Sequence, residues 1–171
     1  MKNKICTNVK GSKIQRGNAS QFFVAGELCR RNYVAVVTMG NCPNTDILCS
    51  NVQGTKFAHI QVKTFIPGRK TVSVGKKAEI DYGNNFFWIL GGIPEIDQPE
   101  EHIYYIIPSH DMAKNVRDGF RLWAETPGKK GQQHDQDNKI RTIALPPNKE
   151  INGWDLKTYL NRWDYIAKIL D

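Results

Sequence analysis

The order of its segments predicts that this chain folds as a single domain of α/β or α+β class. Its length of 171 residues suits one domain with a sizeable core. A composition that is 40% hydrophobic and 24% charged is globular. A helical segment is followed by three strand-like segments and then by mixed elements, without a repeat or a linker. One domain spanning 1–171 is therefore expected.

The N-terminal half predicts a basic arm, a helix and a three-stranded meander. Residues 1–16 contain five basic residues and no acid, so we expect a loosely held arm. Residues 19–31 predict a helix, with Asn18 as its N-cap and Asn32 as its terminator. Short turns between consecutive strands favour antiparallel pairing. The predicted strands are 33–38, 45–49 and 57–65, and the turns between them are 40–44 and 51–55.

The C-terminal half predicts two more strands and two helices. A basic, glycine-bearing stretch at 66–79 precedes the strands, and the polar segment 126–138 lacks a core pattern and reads as a mobile loop. The predicted strands are 86–93 and 102–108, and a helix is expected from a Ser109 cap. A closing amphipathic helix at 153–170 follows from apolar residues at helical spacing. These residues are Leu156, Leu160, Trp163, Ile166, Ala167 and Leu170.

Charge and cysteine content narrow the class of partner and the compartment. The net charge of +7 favours an acidic partner, of which nucleic acid is the commonest. No apolar run approaches the length of a membrane span. The four cysteines match no zinc-binding spacing, and no secretory signal precedes them, so we expect reduced thiols in a cytoplasmic protein. These cysteines are Cys6, Cys29, Cys42 and Cys49.

The strand "FAHIQVKTF" carries an unusual face. Because side chains alternate in a strand, one face holds Ala58, Ile60, Val62 and Thr64, which is a clean core pattern. The other face combines aromatic residues and His59 with Gln61 and Lys63. A lysine near the centre of a sheet is costly to bury unless an anion meets it. The alternative is an edge strand whose lysine reaches water.

Two acids can join this face at one end of a small sheet. Glu27 lies beside the apolar stripe of the predicted helix, and Asp46 opens the second strand directly after a turn. Two carboxylates and an amide oxygen are hard ligands suited to Mg²⁺ or Mn²⁺. A neighbouring lysine can position or deprotonate an attacking water. Each of these residues, considered alone, also has a purely structural explanation. Glu27 would pair with Arg31, Asp46 would bond the local backbone of a turn, and Lys63 would be an exposed strand lysine.

These motifs resemble those of the PD-(D/E)xK nucleases, the restriction-endonuclease-like superfamily. Glu27 in "GELCRR", Asp46 in "NTDILC" and "QVK" at 61–63 follow the order of that family over residues 17–65. The resemblance implies a central mixed β-sheet flanked by helices, with a nuclease-like core at 17–110. Thr45 replaces the proline of the motif, and Gln61 replaces its second acid, which removes a charge from the metal site.

The resemblance also implies roles for single residues. Asp46 would be the main ligand of Mg²⁺ or Mn²⁺, Glu27 a further ligand, and Gln61 and the Val62 carbonyl would face the metal. Lys63 would be the catalytic lysine of an endonuclease that hydrolyses DNA. Many such nucleases form homodimers to cut both strands. Basic residues in loops would contact phosphates without reading sequence. They are Arg69, Lys70, Lys76, Lys77, Lys129 and Lys130.

Two alternatives remain open at this stage. One keeps the fold and loses the chemistry: a catalytically inactive nuclease-fold module that binds nucleic acid or a protein partner. Gln61 favours that alternative, whereas the retention of Glu27, Asp46 and Lys63 argues against it. The other is a basic interaction protein of unrelated α+β fold, in which the motif arises by coincidence.

Overall fold

The computed structural model of the chain describes residues 12–40, 42–98 and 100–171. Its helices are α1 (Lys13–Arg30), α2 (Ser109–Glu125) and α3 (Asp164–Leu170). Its strands are β1 (Val34–Val37), β2 (Ile47–Ser50), β3 (Phe57–Phe65), β4 (Thr71–Ser73), β5 (Phe86–Gly92), β6 (Ile103–Pro108) and β7 (Thr142–Ala144). Two 3₁₀ turns occupy Lys76–Glu79 and Leu156–Tyr159. Within the described ranges, no helix is both long and apolar enough to cross a bilayer.

A five-stranded mixed sheet forms the centre of the fold, in the order β1-β2-β3-β5-β6. The predicted meander is confirmed, because β1, β2 and β3 pair antiparallel in chain order, with Ile47 opposite Ile60. Strand β5 then pairs parallel to β3, and β6 pairs antiparallel to β5. The chain crosses from β3 to β5 through β4, which forms a separate two-stranded sheet with β7. The predicted mixed α/β fold class is confirmed.

Each face of the central sheet is covered by its own apolar core. Helices α1 and α3 pack on one face through Val24, Leu28 and Ile166, which meet Ile60 and Val62 of β3 among others. The opposite face is covered by α2 and the β4–β7 sheet, where the core residues include Phe65, Trp88, Met112, Val116 and Ile143. The alternation predicted for β3 follows from this arrangement, since both faces of the strand have partners.

Helix α1 begins earlier than predicted. Its N-cap is Ser12, whose hydroxyl accepts a hydrogen bond from the Ile14 N–H at 3.3 Å, so Asn18 lies inside the helix. Residues 13–16 of the predicted arm are therefore helical, and residues 1–11, with Cys6, lie outside the described ranges. The predicted end is confirmed, because Asn32 adopts a left-handed conformation with φ of 68°.

The predicted closing helix at 153–170 is wrong over its first half. A 3₁₀ turn is followed by Asn161 with φ of 52°, and only Asp164–Leu170 is α-helical. The break occurs because Leu160 bridges Tyr105, and the Asn161 N–H donates to the Tyr104 carbonyl at 2.8 Å. This segment covers the outer edge of β6, which would otherwise present unpaired backbone groups.

Three further differences concern short or local features. Helix α2 begins at Ser109, but Ser109 does not cap it; its hydroxyl accepts a hydrogen bond from the Tyr82 N–H at 2.8 Å. Strands β4 and β7 were not predicted, because three-residue strands exist only through pairing with each other. The segment 126–138 contains no helix or strand, and its His134 ring stacks on Trp123 at 4.1 Å.

Candidate active site

A cleft of about 410 Å³ opens on the sheet face that α1 does not cover. It lies where β2 begins, above the middle of β3, and the loop before β2 and the 3₁₀ turn Lys76–Glu79 form its walls. Three residues predicted to converge do so here, namely Asp46, Gln61 and Lys63. The other lining residues are Gly40, Cys42, Pro43, Val74, Gly75, Lys76, Lys77 and Trp88.

Strand β3, the neighbour of β2 in the sheet, holds Asp46 in place. Its backbone N–H donates to the Ile60 carbonyl at 2.8 Å, which places its side chain beside β3. Its Oδ2 accepts the Val62 N–H at 2.7 Å and a short hydrogen bond from the Gln61 side-chain amide. Because β2 starts at Ile47, β2 has no residue opposite Val62, and the Asp46 carboxylate accepts the Val62 N–H in place of a β2 carbonyl.

Two threonines fix the backbone on either side of Asp46. The Thr38 N–H donates to the Asp46 carbonyl at 2.9 Å, and the Thr38 hydroxyl donates to the Thr45 carbonyl at 2.6 Å. The Thr45 hydroxyl lies 3.2 Å from His59 Nδ1. His59 therefore supports the loop that carries Asp46. These contacts hold the carboxylate before any ligand arrives, as a preorganised site requires.

Burial disfavours the charged forms of Asp46 and Lys63. It raises the pKa of Asp46, while the Val62 N–H and the Lys63 ammonium act in the opposite direction. Burial likewise lowers the pKa of Lys63; Asp46 raises it, and the nearby Lys77 lowers it further. The Lys63 Nζ lies 5.9 Å from the centre of the Trp88 ring, within the range of a cation–π contact. Perturbed titrating groups in a cleft are typical of functional sites.

Oxygen atoms of and beside Asp46 are suited to bind a hard divalent cation. Asp46 Oδ1 receives no hydrogen bond from any described residue. The Val62 carbonyl faces the side where β2 has not begun, and its contact with the Gln61 amide nitrogen is long, at 3.5 Å. Asp46 Oδ1 and the Val62 carbonyl are oxygen ligands of the kind Mg²⁺ and Mn²⁺ take, whereas Gln61 turns its amide nitrogen, not its oxygen, toward both residues. No group of three or more His, Cys, Asp or Glu side chains suited to a metal occurs in the described ranges.

Glu27 does not join this cleft. Its carboxylate binds Arg30 at 2.9 Å and forms a short ion pair with Arg31, and these two contacts lower its pKa. Arg31 in turn lies 4.4 Å from the Trp163 ring, on the face covered by α1 and α3. The sheet therefore separates Glu27 from Asp46. The structure therefore brings together three of the four residues predicted to converge. Glu27 is not among them and instead pairs locally with Arg31.

The predicted phosphate contacts divide into two groups. Lys76 and Lys77 line the cleft, and Lys77 Nζ donates to the Pro43 carbonyl at 3.1 Å, which joins the two walls. Arg69, Lys70, Lys129 and Lys130 are exposed in turns and do not line it. Trp88 was not predicted as part of the site. It stands opposite Gln61 through the parallel pairing of β3 with β5, which no local pattern reveals.

Comparisons with known proteins bear on the fold. No family profile matches the sequence, and no curated protein matches it. Among solved structures, the chain is similar to a bacterial homing endonuclease, I-Ssp6803I, with a TM-score of 0.51 and 14% sequence identity. The match covers 92% of this chain and 93% of that chain. At this identity the likeness concerns the fold alone, and a fold shared with that endonuclease argues against the unrelated-fold alternative.

Proposed function

We propose that this protein is a divalent-metal-dependent endonuclease that hydrolyses DNA phosphodiester bonds, with a Q-x-K variant of the PD-(D/E)xK site. The observation that carries the proposal is the convergence of Asp46, Gln61 and Lys63 in one cleft. The likeness of the fold to that of a homing endonuclease supports DNA as the substrate. The net charge of +7 is in keeping with a polyanion. A homodimer that cuts both strands belongs to the same proposal.

Each residue of the cleft has a defined part. Asp46 Oδ1 and the Val62 carbonyl would hold Mg²⁺ or Mn²⁺, and Gln61 would join them once its side-chain amide has rotated to turn its oxygen toward the ion. When bound, such an ion lowers the pKa of water and stabilises negative charge on a phosphate. The lowered pKa of Lys63 increases the fraction of neutral amine that can take a proton from the attacking water at Nζ. Lys76 and Lys77 would contact the backbone phosphates that flank the scissile bond.

Cleavage of supercoiled plasmid with Mg²⁺ or Mn²⁺ tests the proposal. We expect metal-dependent nicking that EDTA stops and that Asp46→Ala and Lys63→Ala each reduce by about 10²-fold or more. Because Glu27 lies across the sheet from the cleft, Glu27→Gln should retain cleavage. Lys168→Ala on α3 is the matched lysine control. Nicking that survives Asp46→Ala and Lys63→Ala would contradict the proposal.

One observation favours a second candidate function. Gln61 stands where the motif has an acid, so Asp46 is the sole carboxylate among the described residues that line the cleft. A nuclease-fold module that binds nucleic acid or a protein partner without cutting would need no further charge there. Duplex binding without cleavage of plasmid, single-stranded or branched DNA, unchanged by Asp46→Ala, would support this candidate.

A further inference from the structure

Strand β1 forms an edge of the central sheet and carries none of the features that usually protect an edge. It pairs with β2 on one side and with no strand of the described ranges on the other. Its sequence, VAVV, contains neither charge nor proline, and its register with β2 has no bulge. Proteins commonly guard an edge with such features, because its N–H and C=O groups can pair with another strand. The edge of β1 is therefore suited to receive one.

The hydrogen bonds around β1 show which of its residues direct their backbone groups outward. The Thr38 N–H donates to the Asp46 carbonyl at 2.9 Å, towards β2. Backbone groups of successive strand residues point to opposite sides, so those of Ala35 and Val37 point away from β2. Alternation counted from His59, whose N–H donates towards β5 at 2.8 Å, gives the same assignment. Two residues of β1 can therefore bond a further strand.

The side chains of β1 on the cleft face are apolar and exposed. Val34 is 46% exposed and Val36 is 56% exposed. Val36 pairs with Leu48 and Leu48 with His59, which shares the sheet face of Lys63 and the cleft. Because β1 carries no charge, two copies of a chain with net charge +7 can meet here without bringing cations together. Nucleic acid would instead favour a cationic surface.

We propose that two copies of this chain pair through β1, antiparallel, across a two-fold axis. Only residues that both direct their backbone groups outward can exchange hydrogen bonds. The register that uses both such residues of each copy sets Ala35 opposite Val37 of the partner subunit. Val36 then stands opposite Val36 of the partner subunit, on the axis. This interface rests on the proposed function for its purpose, the cutting of both strands, but not for its contacts.

This pairing places both clefts on the same side of one sheet of ten strands. The reason is that a two-fold axis perpendicular to a sheet keeps each face on its own side. From β3 of one copy to β3 of the other there are five strand spacings, or about 24 Å, which is about seven base pairs along a duplex. A four-residue edge buries less than the roughly 800 Å² per partner of a standard interface. We therefore expect a weak dimer that DNA tightens.

Disulfide formation at position 36 tests the register. In an antiparallel pair, opposed residues that are not hydrogen-bonded have Cα atoms about 4.5 Å apart, which a disulfide can span. With Cys6, Cys29 and Cys42 replaced by serine, Val36→Cys should form a linked dimer on mild oxidation in EDTA, and more of it with a duplex present. Val52→Cys is the matched control, because Val52 is also 56% exposed but lies in the turn after β2. It should stay monomeric.

A like charge on the axis tests the same interface without oxidation. Val36→Lys sets two ammonium groups opposite each other and should weaken self-association of the full chain about tenfold or more. Analytical ultracentrifugation in EDTA measures this, and Val52→Lys should behave as the wild type. On plasmid, Val36→Lys should still nick but should no longer linearise, since each chain holds a complete cleft. Because Val36 is exposed, neither substitution disturbs the core.

The outcomes separate this interface from the proposed chemistry. A linked dimer of Val36→Cys without any cleavage would support the interface and count against the proposed function. Cleavage without a linked dimer, both free and on a duplex, would overturn the interface alone. Equal linking of Val36→Cys and Val52→Cys would also overturn it. A duplex that shields the Val36→Cys thiol from alkylation without promoting linkage would assign the surface to nucleic acid and overturn the proposal.

Discussion

At the scale of residues, Asp46 and Lys63 stand in a place that disfavours the charged form of each side chain. Burial raises the pKa of the first and lowers that of the second, and each partly compensates the other. Removing one partner of such a pair leaves the other uncompensated, whereas replacing both by neutral groups is often stabilising. The two charges therefore cost the fold stability, as charged groups in functional sites commonly do.

The double variant Asp46→Asn/Lys63→Met should be more stable than the wild type and inactive as a nuclease. We expect a gain of about 0.5–2 kcal/mol in the free energy of unfolding, or about 2–4 °C in Tm for each kcal/mol. Lys63→Met alone should gain less, because it leaves the Asp46 carboxylate without its cation. Urea denaturation at pH 7 measures this, and a double variant less stable than the wild type would refute it.

The pH dependence of that gain has a definite sign. The folded-state penalty on Asp46 is present above its raised pKa and is lost as the pH falls below the ordinary aspartate pKa of 3.8, where the carboxyl is neutral in both states. The penalty on Lys63 is present below its lowered pKa and is lost as the pH rises towards 10.5. The difference in stability should be largest near neutral pH and shrink in both directions.

At the scale of elements, α1 approaches β5 closely at one point. Gly91 faces Ser20, and a Cβ on Gly91 would stand closer to the Ser20 hydroxyl than van der Waals contact allows. The Ser20 hydroxyl is buried and has no hydrogen-bond partner in the described ranges. A buried hydroxyl without a partner is destabilising. The residue at 20 therefore decides whether β5 must carry glycine at 91.

A double-mutant cycle tests this contact. Gly91→Ala should destabilise the wild type by about 1–3 kcal/mol through overpacking. In the Ser20→Ala background, where the nearest remaining atom is Cβ at 3.7 Å, it should be neutral or stabilising. Ser20→Ala alone should stabilise. Gly26→Ala, on the exposed side of α1 with nothing nearby, is the control and should show no coupling to position 20. Additive effects at 20 and 91 would contradict this account.

At the scale of the whole molecule, the fold shows on which face some of the cations behind the net charge of +7 lie. Lys76 and Lys77 stand exposed at the cleft, whereas α3 lies across the sheet with Lys168 beside Asp164 at 3.6 Å. If Lys76 and Lys77 each neutralise a phosphate, their removal must reduce the number of counterions released on binding. DNA is thus expected on the face that carries the cleft.

The salt dependence of DNA binding measures this. For Lys76→Ala/Lys77→Ala, the slope of log K against log salt should fall by about 2 relative to the wild type, because each phosphate contact contributes about 0.9. Lys168→Ala should leave the slope unchanged. Fluorescence anisotropy with a short duplex in EDTA gives both slopes without cleavage. An equal effect of the Lys168 variant would place the DNA elsewhere.

Local patterns were sufficient for much of the fold. The nine residues of β3 were predicted from alternation, and the meander β1-β2-β3 from the turns between its strands, since consecutive strands with short turns have few other ways to pair. The end of α1 at Asn32 was likewise local. Where pairing is distant, prediction failed: β4 and β7 exist through each other, and Leu160 leaves its helical pattern because it bridges Tyr105.

The candidate site, like the fold, could be predicted only in part from the sequence. The sequence alone indicates that Asp46, Gln61 and Lys63 can meet. They lie on two neighbouring antiparallel strands, and because side chains alternate between the faces of a strand, all three reach the same face. That Glu27 cannot join them was decided by the tertiary structure, which packs α1 on the opposite face of the sheet. The position of Trp88 beside Lys63 was also decided by the tertiary structure, since it depends on the parallel pairing of β3 with β5.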